Sequence, residues 1–408
     1  MISGPHSDSL PAAFRVFVAS KAIVVLAEGF FAALLPWMAL SLTRSTFLTG
    51  IIVGIAAVSL MTSFVIGGFI DKSPRKSDIF ALSILGIGLT SPLFLFAFDT
   101  SYVPLVVALI IVPLLIRSYL GDIQTTVSSY LDKVFLETDN QLKTGVSLRR
   151  WTSALANALG IGVFGFFVTL AFSYSIFFLI SAYAGAFLIY INIRKRIPRG
   201  NHKPSCASTS PAMALKRFLA VPFLRQLTVV AVGINLFFGM MYVGFSALIM
   251  LYFGFNGVYY TFLVIAWISG TIVGNMLAGH MAKVRGNAIN LAILAWGLLF
   301  TLFFLSSERG WYDPLLPIVF SIGLISGLMN VTIYGLMIKH TDVDLIGSTM
   351  GSFNSLFGGV TFFSGMVAGL LLTFVSPPVL FLVMGVTTLG IGVVSSLFFR
   401  SLRQIHLT

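Results

Sequence analysis

Twelve stretches of predominantly apolar residues recur along the 408-residue chain, near 14–41, 47–69, 79–98, 102–126, 151–172, 174–193, 224–252, 257–280, 288–306, 314–338, 346–374 and 378–399. A membrane-crossing helix needs about 20 such residues. Only 9% of the chain is charged and 57% is hydrophobic, whereas soluble domains carry about 25% charged residues. A soluble globule is therefore excluded. The pattern predicts an all-α membrane protein of twelve transmembrane helices.

The formal charge of +12 invites a nucleic-acid reading, so the placement of the 25 basic residues decides the matter. With these spans, Arg44 and Arg309 fall in external loops, Lys21 and Arg117 fall inside spans, and the other 21 lie in or beside cytoplasmic segments. Retention of Lys and Arg on the cytoplasmic side accounts for this partition, and nucleic-acid binding is not expected. Both termini are then cytoplasmic, as in a multi-pass protein of a bacterial-type inner membrane. Met1 to Ala12 lacks a basic n-region, so the first span is expected to act as its own insertion signal. Cys206 stands alone, which excludes an intrachain disulfide or a thiolate metal cluster. No cofactor or metal is expected, since there is no P-loop and no His-rich or carboxylate cluster. Gly160, Gly162 and Gly165 spell GxGxxG, but they lie within a span with no strand before them.

The halves repeat each other. An offset of 207 carries Glu28, Phe30 and Phe31 to Asn235, Phe237 and Phe238, Gly50 to Gly257, Gly67 to Gly274, and Lys76 to Lys283. Further on, an offset of 202 pairs Gly145, Trp151 and Ser153 with Gly347, Phe353 and Ser355. The expected organisation is a six-helix bundle over 1–193, a linker over 194–223 and a second, pseudo-symmetric six-helix bundle over 224–408. The basic, Pro- and Ser-rich linker reads as a solvated topology signal, with contact to anionic lipid headgroups as the alternative. Two aligned six-span repeats are a transporter architecture, with a substrate site at the repeat interface near the midplane.

Between the second and third spans the chain reads GGFIDKSPRK, from Gly67 to Lys76. This loop resembles the signature of the major facilitator superfamily: a Gly, an Asp four residues on, a basic residue, then a basic pair. The matching residues are Gly67, Asp71, Lys72, Arg75 and Lys76, with Pro74 where the family usually has Gly. Arg117 and Gly121 resemble the family's fourth-span signature, with Leu120 in place of its usual Gln. The resemblance implies a monomeric twelve-helix transporter working by alternating access on an ion gradient. It also implies a conformational latch built on Asp71 and the loop bases, and a proton-coupling or cavity role for Arg117. The Gly-Pro of the family's fifth-span antiporter signature is missing from ANALGIGVFGFF.

An ionisable group at the bilayer centre costs at least about 2.5 kcal/mol, so it is expected to face a cavity or a partner. Four residues qualify: Lys21 and Glu28 in the first span, Arg117 and Asp122 in the fourth. Lys21 and Glu28 are seven residues apart, two helical turns and about 10 Å along one face. Glu28 is expected to approach Arg117 across the cavity, its protonation weakening the pair, with Lys21 and Asp122 as a second pairing. Static ion pairs between helices are the alternative. Asn157, Asn235, Asn330 and Asn354, with Trp37, Tyr242, Trp267 and Tyr334, are candidates for a pocket lining. An acid in an apolar, Phe- and Met-rich interior points toward export of a small amphiphilic molecule, a drug-like compound or a secreted metabolite such as a siderophore, coupled to protons. Uptake of a small nutrient or siderophore remains open. So does a lipid-modifying membrane enzyme, for which His340 with Asp342 would be the pair to test, and a non-transporting receptor fits two symmetric halves poorly.

Overall fold

A computed structural model describes residues 10–63, 66, 70, 73, 75–98, 100, 102–135, 139–194, 220, 222–254, 256–280, 284–339, 346–398 and 406–407. The helices are α1 (Ala12–Thr43), α2 (Thr46–Ile55), α3 (Val58–Met61), α4 (Lys76–Thr90, continued by a 3-10 stretch Ser91–Ala97), α5 (Val103–Phe135), α6 (Asp139–Phe167) and α7 (Phe172–Arg194). They are followed by α8 (Pro222–Ala247, continued by a π turn Leu248–Tyr252), α9 (Gly257–His280), α10 (Gly286–Glu308), α11 (Leu315–Lys339), α12 (Ile346–Leu371) and α13 (Pro377–Phe398). Among the described residues, nine helices are long and apolar enough to cross a membrane. Three shorter apolar helices, Thr46–Ile55, Trp151–Phe167 and Ser355–Leu371, fall at the remaining expected spans. The fold is thus the expected all-α membrane architecture. Its one addition is a two-residue antiparallel ladder pairing Val284 with Leu407 and Arg285 with His406.

Several span boundaries differ from expectation for identifiable reasons. Helices α5 and α6 run past the apolar windows at 126 and 151, out to Phe135 and back to Asp139. Hydropathy cannot register helix that continues on polar residues, and here Arg149 and Asp132 tie the two extensions at 2.7 Å. The span expected over 47–69 is interrupted after Ile55, where the Ala57 N–H turns back to the Gly54 carbonyl. The third span ends in 3-10 helix because Pro92 has no N–H to continue the α ladder.

The chain divides into two compact units, Met1–Ala32 with Val65–Cys206, and Ala33–Phe64 with Ala207–Thr408. Residues 33–64, expected with the first bundle, therefore group with the second unit. The division of α1 at Ala32 lies four residues before Pro36, which cannot donate to the Ala32 carbonyl. In the second unit α2 lies against α12: a Cβ on Gly50 would meet the Gly365 carbonyl at 2.3 Å, and one on Gly369 would meet the Thr46 carbonyl at 2.6 Å. Gly365 and Gly369 stand four residues apart, a small-residue pair on one face of α12, and α2 is what covers that face.

Packing within each unit follows one plan. In the first, a Cβ on Gly160 would meet the Leu26 carbonyl at 2.0 Å and one on Gly29 the Asn157 carbonyl at 2.4 Å, so α1 and α6 touch backbone to backbone. In the second, Gly239 of α8 lies against Ser364 of α12. Gly88 packs on Tyr183, joining α4 to α7, and Gly297 packs on Leu389, joining α10 to α13. These two pairs sit at offsets of 209 and 206, close to the 207 of the sequence repeat. Buried polar ties complete the second unit, from Trp296 Nε1 to the Ile322 carbonyl at 3.0 Å and from Ser395 to Asn290 at 2.7 Å.

Gly160→Val should force α1 and α6 apart and cost about 2 kcal/mol or more by overpacking, lowering the thermal unfolding midpoint in detergent. Gly390→Ala, where a Cβ would meet nothing within 4 Å, should leave the midpoint unchanged or raised. Equal midpoints for the two variants would refute backbone contact as the basis of this packing.

Candidate functional site

The site grows from one face of α1. Lys21, Glu28 and Phe31 follow one another at intervals of seven and three, so they lie on neighbouring turns of the same face. Lys21 is 4% exposed, and its ammonium donates to Gln124 Oε1 of α5 at 2.9 Å. Gln124 is fully buried, and its Nε2 has no partner among the described residues. Beside it, Ser20 donates to the Ala186 carbonyl of α7 at 2.8 Å, fixing α1 against a third helix.

Arg117 lies two turns before Gln124 on α5, the same seven-residue step that separates Lys21 from Glu28. Because α1 and α5 are neighbouring spans of opposite sense in a chain that crosses at each helix, the Lys21–Gln124 bond sets their register. One step of about 10 Å along both helices brings Glu28 level with Arg117. Arg117 is 6% exposed, with its guanidinium 4.0 Å from the Phe31 ring centroid and 4.9 Å from that of Tyr183. One amino group donates to the Tyr183 hydroxyl; the other is buried without a partner among the described residues. A guanidinium over aromatic faces is attracted by the ring quadrupole, by about 2 kcal/mol or more when desolvated.

Glu28 is half-buried. It makes no hydrogen bond or ion pair with a described residue. The expected approach of Glu28 and Arg117 is therefore present as shared level and shared surroundings, without a direct ion pair. The aromatic cradle and the phenol take the place of the carboxylate. Lys21 likewise bonds the Gln124 amide, and Asp122 is half-buried with its carbonyl accepting from Thr126.

The other candidates disperse. Asn157 packs on Gly29, one residue from Glu28. Asn235 turns its amide back to the Ala231 carbonyl of its own helix at 2.8 Å. Tyr242 and Trp267 meet edge to face at 5.2 Å, and Trp37 lies 5.7 Å from Tyr260, all within the second unit. Asn330 is half-buried on α11. The side chains of Asn354 and Tyr334, and all of Gly67, Asp71, Lys72, His340 and Asp342, lie outside the described residues. Of the loop bases, Lys76 donates to the Ser73 carbonyl at 3.1 Å and lies 4.3 Å over the Tyr130 ring. Arg75 is exposed.

The model of the Major Facilitator Superfamily matches residues 17–366. The chain belongs to this superfamily. Its fold is similar to that of a POT family transporter solved with a thioalcohol-conjugated peptide, at a TM-score of 0.74, with 12% identity and 97% of each chain covered. The nucleoside transporter NupG aligns at 0.71, with 14% identity over 96% of this chain and 100% of that one. The human organic anion transporter MFSD10 (TETRAN) aligns at 0.61, with 15% identity over 94% and 99%. No curated protein sequence matches. As a superfamily member the protein is a membrane transporter, and the enzyme reading is set aside.

Tyr183, Gln124 and Phe31 were missed in the sequence. For Gln124 a signal existed, since it repeats on α5 the seven-residue spacing of Lys21 and Glu28. Tyr183 had none, because one aromatic in a span looks like packing.

Tyr183→Phe keeps the ring and removes the hydroxyl, leaving the buried guanidinium with one further N–H unsatisfied. We expect a loss of about 1 to 3 kcal/mol, read as a lower unfolding midpoint in detergent. Arg117→Met removes the charge together with its needs and should cost less. The opposite ranking would show that the hydroxyl does not hold Arg117.

Proposed function

We propose that this transporter exports a small amphiphilic molecule, drug-like or a secreted metabolite such as a siderophore, in exchange for protons by alternating access. The carrying observation is Glu28: a half-buried carboxylate without a described ion-pair partner, level with an arginine that bonds Tyr183 instead. A carboxylate in a permanent ion pair gives up its charge only with the pair. One beside such cations, but not bonded to them, can gain or lose a proton while the helices stay packed. Protonated Glu28 would leave Arg117 on Tyr183; ionised Glu28 would draw the guanidinium toward α1. That exchange of partners is the proposed link between proton and conformation.

The basic loops and both termini are assigned to the cytoplasmic face of a bacterial-type inner membrane, on the positive-inside pattern. The working unit is taken as a monomer. Phe31 lies over the Arg117 guanidinium and against the Phe94 ring, an apolar surround that supports loose contact with an amphiphile. Uptake is the competing direction. The unpartnered Arg117 amino group favours it, since that group would suit the carboxylate of a nutrient.

Inside-out vesicles energised by a pH gradient and offered a panel of fluorescent lipophilic dyes test the reading. We expect dye accumulation that Glu28→Gln abolishes, while counterflow without a gradient persists. Unchanged gradient-driven flux in Glu28→Gln removes Glu28 as the proton carrier. Accumulation confined to right-side-out vesicles reverses the direction.

A further inference from the structure

Between the start of α4 and the end of α7 lies a cleft of about 400 Å³, lined by Ser73, Arg75, Asp78, Leu82, Phe187, Ile191 and Arg194, among others. Its two walls are graded in the same sense. Along α4, Asp78 gives way to Leu82 after four residues; along α7, read back from its end, Arg194 gives way to Ile191 and Phe187 after three and seven. The charged groups thus stand at the helix ends and the apolar ones about 5 to 10 Å further into the bundle. Leu82 is 64% exposed and continues into an outward-facing stripe with Leu85, Leu89 and Phe96. A cleft continuous with such a stripe on a membrane-spanning helix opens to hydrocarbon.

The walls are held in place. Arg194 gives Nε and a terminal nitrogen to Asp78 Oδ1, each at 2.6 Å. One turn before Arg194, the Tyr190 hydroxyl bonds that of Ser77 at 2.9 Å, and the Tyr190 ring lies 4.6 Å from Phe80. The clasp neutralises Arg194 and Asp78 against each other. Among the described lining residues Arg75 is left as the net charge of the rim; it is exposed, and its guanidinium makes no bond to a described residue. The amino end of the α4 dipole adds to that field.

We propose that this cleft seats one phospholipid with an anionic headgroup, its phosphate at Arg75 and the open side of Arg194, and an acyl chain along Leu82, Phe187 and Ile191. The site is separate from the Lys21–Gln124 and Arg117–Tyr183 contacts and does not depend on the transport reading. Basic pockets between helices at the cytoplasmic level are where anionic headgroups gather. Here the rigid clasp supplies shape, and Arg75 supplies sign.

The test uses the full chain, stripped of lipid in detergent, with retained lipid counted by native mass spectrometry. Dioleoylphosphatidylglycerol should be retained about fivefold more than dioleoylphosphatidylcholine, the equivalent of about 1 kcal/mol for one basic residue at an anionic surface. Arg75→Gln, which breaks no described contact, should bring the two lipids level. Leu82→Trp, filling the cleft, should reduce both. Arg15→Gln, a basic residue exposed on α1 outside the cleft, should change neither. Equal retention of the two lipids by the unmodified protein overturns the proposal, as does unchanged selectivity in Arg75→Gln or unchanged retention in Leu82→Trp. A thermal shift with inorganic phosphate equal to that with phosphatidylglycerol would make this a free-anion site and overturn it as well.

Discussion

In hydrocarbon, helices gain nothing by hiding apolar side chains from one another, so they associate through close backbone approach and a few polar ties. The rest of this structure follows from that constraint. Gly29 and Gly160 let α1 and α6 meet without intervening side chains, and the contact brackets Glu28. With Gly29 pressed on Asn157, the preceding residue points about 100° away around α1, so the carboxylate is turned off the packed seam. Packing aims the charge before any charge is paired.

Among the described residues, the partners of Lys21 and Arg117 are not carboxylates. Lys21 uses an amide and Arg117 a phenol and two ring faces. This is costly in residues, since it commits Gln124, Tyr183 and Phe31, but it leaves the acid uncommitted. The second unit repeats the packing and omits the chemistry. Where Gly88 meets Tyr183 in the first unit, Gly297 meets Leu389 in the second, and the counterpart of Glu28 is Asn235, whose amide is spent on its own helix. One set of helix contacts therefore carries charge in only one of its copies.

Much of this was legible in the sequence because hydropathy and charge placement are one-dimensional signals. Spans, the repeat and the four intramembrane ionisable residues all belong to that class. What escaped requires knowing which faces meet. The polar continuations of α5 and α6 carry no apolar signature, and the grouping of residues 33–64 with the second unit depends on the fit of Gly50 to Gly365. Arg117 was identifiable as a buried charge that must find a partner, but an aromatic partner is indistinguishable in sequence from the many phenylalanines that only pack.

That level is itself a consequence of register. On antiparallel helices, paired residues have numbers of constant sum, so a bond between 21 and 124 carries 28 to 117 without further information. Any motion that slides α1 along α5 by one turn, about 5.4 Å, would break the Lys21–Gln124 bond and the Glu28–Arg117 level together. A rotation of either helix about its own axis would instead preserve the level while changing which side of the guanidinium faces Glu28. Rotation of α1 would also have to open its backbone contact with α6 at Gly29 and Gly160. Sliding would strand two buried cations at once. The ladder of two seven-residue steps and the glycine seam to α6 thus fix both the height and the facing of Glu28 in the packed state.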